Sequence, residues 1–200
     1  MKTAALAASF VQMRRPLHSL PRRRAARIAL LATAASVVLV FATASPALAY
    51  YIEGPGWPGP TITYYSSVYP KAVDRAAAVW NRAGLGVTFQ RASKSAARVL
   101  VSSGPHGCGG WALVGYQGSD GTSRMRLNSG CKADLMVLTA THEFGHVLGL
   151  GHENSRCARM NPTIYHDGTP NLCAHHTLRY WLGHPLQKDD LAGAHAIYSR

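Results

Sequence analysis

Three histidines lie within the segment HEFGHVLGLGH, which spans residues 142–152. His142 and His146 are four residues apart, so a helix would present both imidazoles on one face, about one turn apart. Neutral imidazoles at this spacing suit two ligands of a single tetrahedral zinc ion. Gly149 tolerates the positive φ of a sharp turn, which would bring His152 back as a third ligand. Three protein ligands leave the fourth position for water, as is typical of a catalytic zinc site.

Glu143 follows the first predicted ligand directly, and the HExxH pattern assigns it the role of general base. Zinc lowers the pKa of a bound water to about 7, so a nearby carboxylate can accept its proton at neutral pH. Glu143 would afterwards pass a proton to the departing amine. The segment therefore predicts hydrolysis of peptide bonds by a zinc-bound water that Glu143 activates.

Two alternatives to this interpretation stay open at the level of sequence. One is an amphipathic core helix whose histidines align by chance, although its buried polar groups would then need partners. The other is a zinc-containing binding or toxin-like module with narrow or no proteolytic activity. A module that only binds would not need Glu143 as a general base. Histidines outside the segment are expected to be surface or loop residues; they are His106, His166, His175, His176, His184 and His195.

The elements around this segment predict an α+β fold in one domain. Stretches rich in β-branched and aromatic residues predict strands over 61–65, 87–90, 98–101, 111–117 and 123–127. Helical spacing of apolar residues predicts helices over 71–83, 135–150 and 187–198, with residues 152–186 irregular. Asp134 is the expected N-cap of the central helix, and Gly149 or Gly151 its end. Trp80 and Trp111 are expected in the core rather than as substrate platforms.

Residues 1–49 have the three parts of a secretory signal peptide. A basic stretch precedes an uncharged apolar run from Ile28, and the run ends in the small-x-small sequence Ala47-Leu48-Ala49. An uncleaved anchor is disfavoured, because the strongly apolar part falls short of the ~20 residues that span a bilayer. We therefore expect a signal peptide over 1–49 and a catalytic domain over 50–200. The protein would be secreted and extracellular, and would contact the membrane only transiently, through the signal peptide.

The net charge of +12 is concentrated in the predicted leader. Seven of the 21 basic residues lie within residues 1–49, which contain no acidic residue. The remainder carries an ordinary surface charge, which argues against a nucleic-acid partner. We expect a monomer that acts on protein or peptide substrates.

The four cysteines all lie beyond residue 49, and an even number in an exported protein predicts two disulfides. Three connectivities are open, of which Cys108–Cys131 with Cys157–Cys173 is the simplest. A zinc–thiolate site is the alternative, although the chain has no C-x-x-C spacing.

The segment over residues 142–152 resembles the extended zinc signature H-E-x-x-H-x-x-G-x-x-H of the metzincin metallopeptidases. Met160, in the sequence RMNP, resembles the methionine of the metzincin Met-turn, and residues 189–198 resemble the C-terminal helix of matrixins. The chain is most similar to a compact, secreted, matrixin-like enzyme of bacterial type.

This resemblance implies a twisted mixed sheet of about five strands, an active-site helix, a Met-turn and a C-terminal helix. It also implies an endopeptidase whose extended substrate lies along an edge strand, for which Gly110–Gln117 is the candidate. The matrixin segment that binds calcium and a second zinc is not recognisable between residues 102 and 130. We therefore expect one catalytic Zn²⁺, with no support for structural calcium or a second zinc. Tyr165 is a weaker candidate, as a donor to the oxyanion.

Overall fold

The structure is a computed structural model that describes residues 49–119 and 121–199. The predicted signal peptide, residues 1–49, lies outside this range apart from Ala49. Within the described part of the chain, no helix is long and apolar enough to cross a bilayer.

A five-stranded mixed sheet forms one layer of the domain. Its strands are β1 (Thr61–Ser66), β2 (Thr88–Arg91), β3 (Val99–Ser103), β4 (Gly110–Ala112) and β5 (Ser123–Leu127). They lie in the order β2-β1-β3-β5-β4, and β4 pairs antiparallel with β5 while the other neighbours are parallel. The mixed five-stranded sheet and the α+β class are thereby confirmed, with β4 at the edge.

Within residues 49–119 and 121–199, four helices accompany the sheet: α1 (Pro70–Asn81), α2 (Ala133–Leu148), α3 (Leu178–Gly183) and α4 (Lys188–Tyr198). Helix α2 is the centre of the core, and every residue from Leu135 to Leu148 is buried. The buried indole of Trp80 on α1 donates a hydrogen bond to Thr141 O at 2.8 Å, and that of Trp57 donates to Val147 O at 2.7 Å. The helix is therefore fixed along its length, which a rigid site requires.

Three local predictions are wrong in detail. Lys132, not Asp134, is the N-cap of α2; Asp134 lies in its first turn, where a carboxylate favours the helix dipole. The strand predicted over 111–117 is ordered as a strand only over Gly110–Ala112, since Gly115 N instead donates to His146 O. Residues 152–186 contain the short helix α3, whose six residues carry too little periodicity to be recognised.

Both predicted disulfides are present with neighbouring cysteines paired. Cys108–Cys131 links the loop before β4 to the approach to α2, and Cys157–Cys173 closes the loop that follows His152. The zinc–thiolate alternative is therefore wrong, because all four cysteines are oxidised.

Candidate active site

The structure brings the three predicted histidine ligands together. The Nε2 atom of His152 lies 3.3 Å from that of His142 and 3.2 Å from that of His146. Two nitrogens bound at about 2.1 Å to one tetrahedral zinc ion would lie ~3.4 Å apart, so the spacing fits zinc. Among the described residues, no other group of three histidine, cysteine or acidic side chains has this geometry.

Gly149 makes the turn that returns His152 to the other two histidines. Its φ is 110°, and its N–H caps α2 by donating to the carbonyls of Gly145 and His146. Residues other than glycine rarely adopt this left-handed backbone conformation. The expectation that the helix ends at Gly149 is confirmed, and Gly151 lies beyond the end.

Backbone carbonyls orient two of the imidazoles. Nδ1 of His142 lies 2.7 Å from Arg159 O, and Nδ1 of His146 lies 2.8 Å from Leu150 O. A carbonyl only accepts hydrogen bonds, so each Nδ1 carries the proton and each Nε2 keeps its lone pair for a metal. Burial, together with the neighbouring His146, lowers the pKa of His142 to about 3, which keeps this imidazole neutral.

Asp190 of α4 holds the turn that contains Met160. Its carboxylate accepts hydrogen bonds from the backbone N–H groups of Arg159 at 2.8 Å, Met160 at 3.0 Å and Gln187 at 2.7 Å. The same Arg159 supplies the carbonyl that orients His142. The predicted Met-turn and C-terminal helix are thus confirmed. Asp190 was not predicted as a site residue, although its spacing from Gln187, with which it forms a capping box, was a local sign of a structural role for this carboxylate.

Glu143 lies on α2 at the wall of the same cleft as the three histidines. Its side chain is only 3% exposed, and burial raises its pKa to about 8. Its Oε2 atom is buried and has no hydrogen-bond partner among the described residues. An orphaned carboxylate oxygen beside three convergent imidazoles fits a site that also takes a metal and a water molecule.

The cleft has a volume of about 310 Å³ and runs along β4, whose outer edge pairs with no other strand of the sheet. Its wall also includes four residues that sequence reasoning did not single out: Glu53, Thr139, Pro162 and Ile164. Thr139 lies about one turn before His142 on α2, and Pro162 closely follows Met160, whereas Glu53 is distant in sequence from the histidine segment, so no local pattern joins it to that segment.

Three aromatic residues and the six histidines outside residues 142–152 were also assigned places or roles from the sequence. Trp80 is buried as expected, but Trp111 is 50% exposed, because its neighbour Ala112 is the β4 residue that faces the core. Tyr165 stacks on His175 and does not line the cleft; Ile164 does. The six histidines outside the segment are all exposed, as expected.

The fold and the histidine site define a metzincin-type zinc metallopeptidase. The sequence model of the astacin peptidase family matches residues 55–164, more than half of the chain. The chain therefore belongs to the astacin family.

Curated relatives come from two groups of metalloproteinases. Human matrix metalloproteinase-20 is 29% identical over 72% of this chain and 32% of its own length, and rat matrilysin is 26% identical over 74% and 60%. Zinc metalloproteinase nas-23 of Caenorhabditis elegans is 33% identical over 38% of this chain and 13% of its own length. The chain thus spans less than two thirds of each relative. The metzincin resemblance is confirmed, whereas the matrixin-like subtype is not, since the matching family model is that of astacin.

Proposed function

We propose that this protein is a secreted zinc-dependent endopeptidase in which His142, His146 and His152 bind one Zn²⁺ and Glu143 is the general base. The observation that carries the proposal is the convergence of three Nε2 atoms beside the orphaned Oε2 of Glu143. Membership of the astacin family supports zinc chemistry and peptidase activity.

A bound zinc ion would supply Lewis-acid chemistry, lowering the pKa of a water molecule and polarising the substrate carbonyl. The chain's own residues do the rest. Glu143 accepts the proton of the water at its unpartnered Oε2 and then donates it to the nitrogen of the departing amine. Burial favours the protonated form of Glu143, so the carboxyl group can hold the proton between the two transfers.

The free edge of β4 supports a peptide substrate bound as an added strand. Gly110 lies beside Glu143 at one end of β4, and Gly115, just beyond the other end, donates its N–H to His146 O. An extended peptide along this edge would gain main-chain hydrogen bonds and pass in front of both residues. A cleft along a strand edge admits chain on both sides of the scissile bond, which favours an endopeptidase.

Secretion belongs to the same proposal. The signal-peptide pattern of residues 1–49 predicts cleavage after Ala49, which would leave a catalytic domain over 50–200. Two disulfides and the metalloproteinase relatives support an oxidising, extracellular location. We propose that the enzyme is monomeric and uses neither nucleic acid nor structural calcium.

Cleavage-site profiling of a proteome-derived peptide library tests the activity. The untreated protein should cut internal peptide bonds, a chelator should stop cleavage, and added Zn²⁺ should restore it. Zinc binding at full stoichiometry without cleavage of any peptide would instead support the zinc-containing binding or toxin-like module.

A further inference from the structure

The segment that contains Glu53 is fixed against the turn between the histidines. The N–H groups of Glu53 and Gly54 donate to Gly149 O at 3.0 and 3.1 Å, and Gly151 N donates to Tyr51 O at 2.8 Å. This antiparallel contact fixes the backbone of Glu53 beside the cleft.

The carboxylate of Glu53 reaches the rim of the cleft. A Cβ placed on Gly151, next to His152, would lie 2.8 Å from Glu53 Oε2. Glu53 also lines the same cleft as His146 and His152. The charge is therefore close enough to influence a molecule bound in front of these histidines.

Glu53 has no partner of its own within residues 49–119 and 121–199. No described side chain or backbone N–H donates to its carboxylate, and the residue is exposed. By contrast, Glu153 accepts hydrogen bonds from Ser155 and Arg156. No lysine or arginine of the described chain lines the cleft. An unpaired carboxylate in a cleft without a cation complements a positively charged ligand.

The course of β4 shows which part of a substrate would meet Glu53. The strand runs from Gly110, beside Glu143, towards Val114, which lines the cleft together with Glu53. Antiparallel pairing is the more stable way to add a strand. A peptide added in that sense runs opposite to β4, so the residues before the scissile bond lie at the Val114 end, near Glu53.

We propose that Glu53 selects a lysine or arginine side chain on the N-terminal side of the scissile bond. This specificity rests on the proposed peptidase function, because it assigns a substrate class to the same cleft. The cation would sit at the rim, where both charges remain partly hydrated, so the preference should be of the size of an exposed ion pair.

The test compares peptides that differ at one residue before the scissile bond, which is lysine, glutamine or glutamate. The wild-type protein should cleave the lysine peptide with a kcat/KM about threefold to fivefold above that of the glutamine peptide. Glu53→Gln should bring this ratio close to one, and Glu53→Lys should transfer the preference to the glutamate peptide. Asp134→Asn is the matched control, since this exposed carboxylate lies at the far end of α2, and it should leave the ratio unchanged.

Two results would overturn the proposal. One is that the wild type and Glu53→Gln show the same ratio of kcat/KM for the lysine peptide to kcat/KM for the glutamine peptide. The other is a Glu53→Gln variant that loses zinc and all activities in the same proportion, because Glu53 would then act on the metal site. If the wild type cleaves no peptide, the proposed peptidase function is wrong. Binding of the labelled peptides then tests separately whether Glu53 selects a positively charged side chain. Fluorescence anisotropy should then show about threefold tighter binding of the lysine peptide only when Glu53 is present.

Discussion

Gly110 of the edge strand lies directly against the side chain of Glu143. A Cβ at Gly110 would come within 2.6 Å of Glu143 Oε1 and 2.7 Å of its Cγ, distances that side chains do not tolerate. The strand that is proposed to bind substrate and the proposed base therefore fit together only because residue 110 has no side chain.

Gly110→Ala should push the Glu143 carboxylate out of position and lower kcat/KM by about 10- to 100-fold, because small displacements of a catalytic group are costly. Zinc content should stay unchanged. The matched control is Gly59→Ala, since a Cβ there meets nothing within 4 Å. Steady-state kinetics on one peptide checks both variants, and wild-type activity in Gly110→Ala would show that the contact does not position the base.

Asp190→Asn should destabilise the domain by about 2–4 kcal/mol. The substitution removes the charge that faces the buried Arg159 and weakens the hydrogen bonds that the carboxylate accepts from Arg159 and Met160. Urea unfolding measures the loss. Asp134→Asn, at an exposed site, should change the free energy of unfolding by less than about 1 kcal/mol. An equal effect of the two substitutions would contradict the role given to Asp190.

His152→Ala should abolish stoichiometric zinc binding, because only two imidazoles would remain at the site. His195→Ala is the control, since this exposed histidine of α4 lies outside the cleft. Elemental analysis after dialysis should find about one zinc per chain in His195→Ala and far less in His152→Ala. Unchanged zinc content in His152→Ala would remove this residue from the ligand set.

Glu143 should make the stability of the chelator-treated protein depend on pH. Its pKa is raised from 4.5 to about 8 in the folded state, so between these values the folded chain holds a proton that the unfolded chain has lost. The contribution of this carboxyl group is therefore fully present below pH 4.5 and decreases as the pH rises towards 8. Urea unfolding from pH 5 to 9 should show this decline relative to Glu143→Gln, and parallel curves would contradict it.

The sequence predicted those parts of the site that are local in the chain. The spacing of His142 and His146 on one helix, and the need for glycine at the turn, follow from helix geometry. The proximity of Gly110 to Glu143, and of Glu53 to His152, depends on how distant segments pack. No periodicity or motif encodes those contacts, so they became visible only in the folded structure.

The same reason explains the error in the edge strand. Residues 113–117 have the apolar composition of a strand, but Tyr116 N donates to Pro55 O rather than to β5. Competition between β5 and the segment around Pro55 is decided by tertiary packing, which outweighs local propensity.

The most direct test of the proposed mechanism is the Glu143→Ala variant, measured for zinc content and for hydrolysis of one peptide alongside the wild type. Both proteins should bind about one zinc per chain, since Glu143 is not among the three convergent ligands. Hydrolysis should fall by at least about 100-fold, because alanine cannot accept the proton and Glu53, the other carboxylate of the cleft wall, lies at its exposed rim. A zinc-loaded Glu143→Ala protein that retains substantial activity would contradict the assignment of Glu143 as the general base.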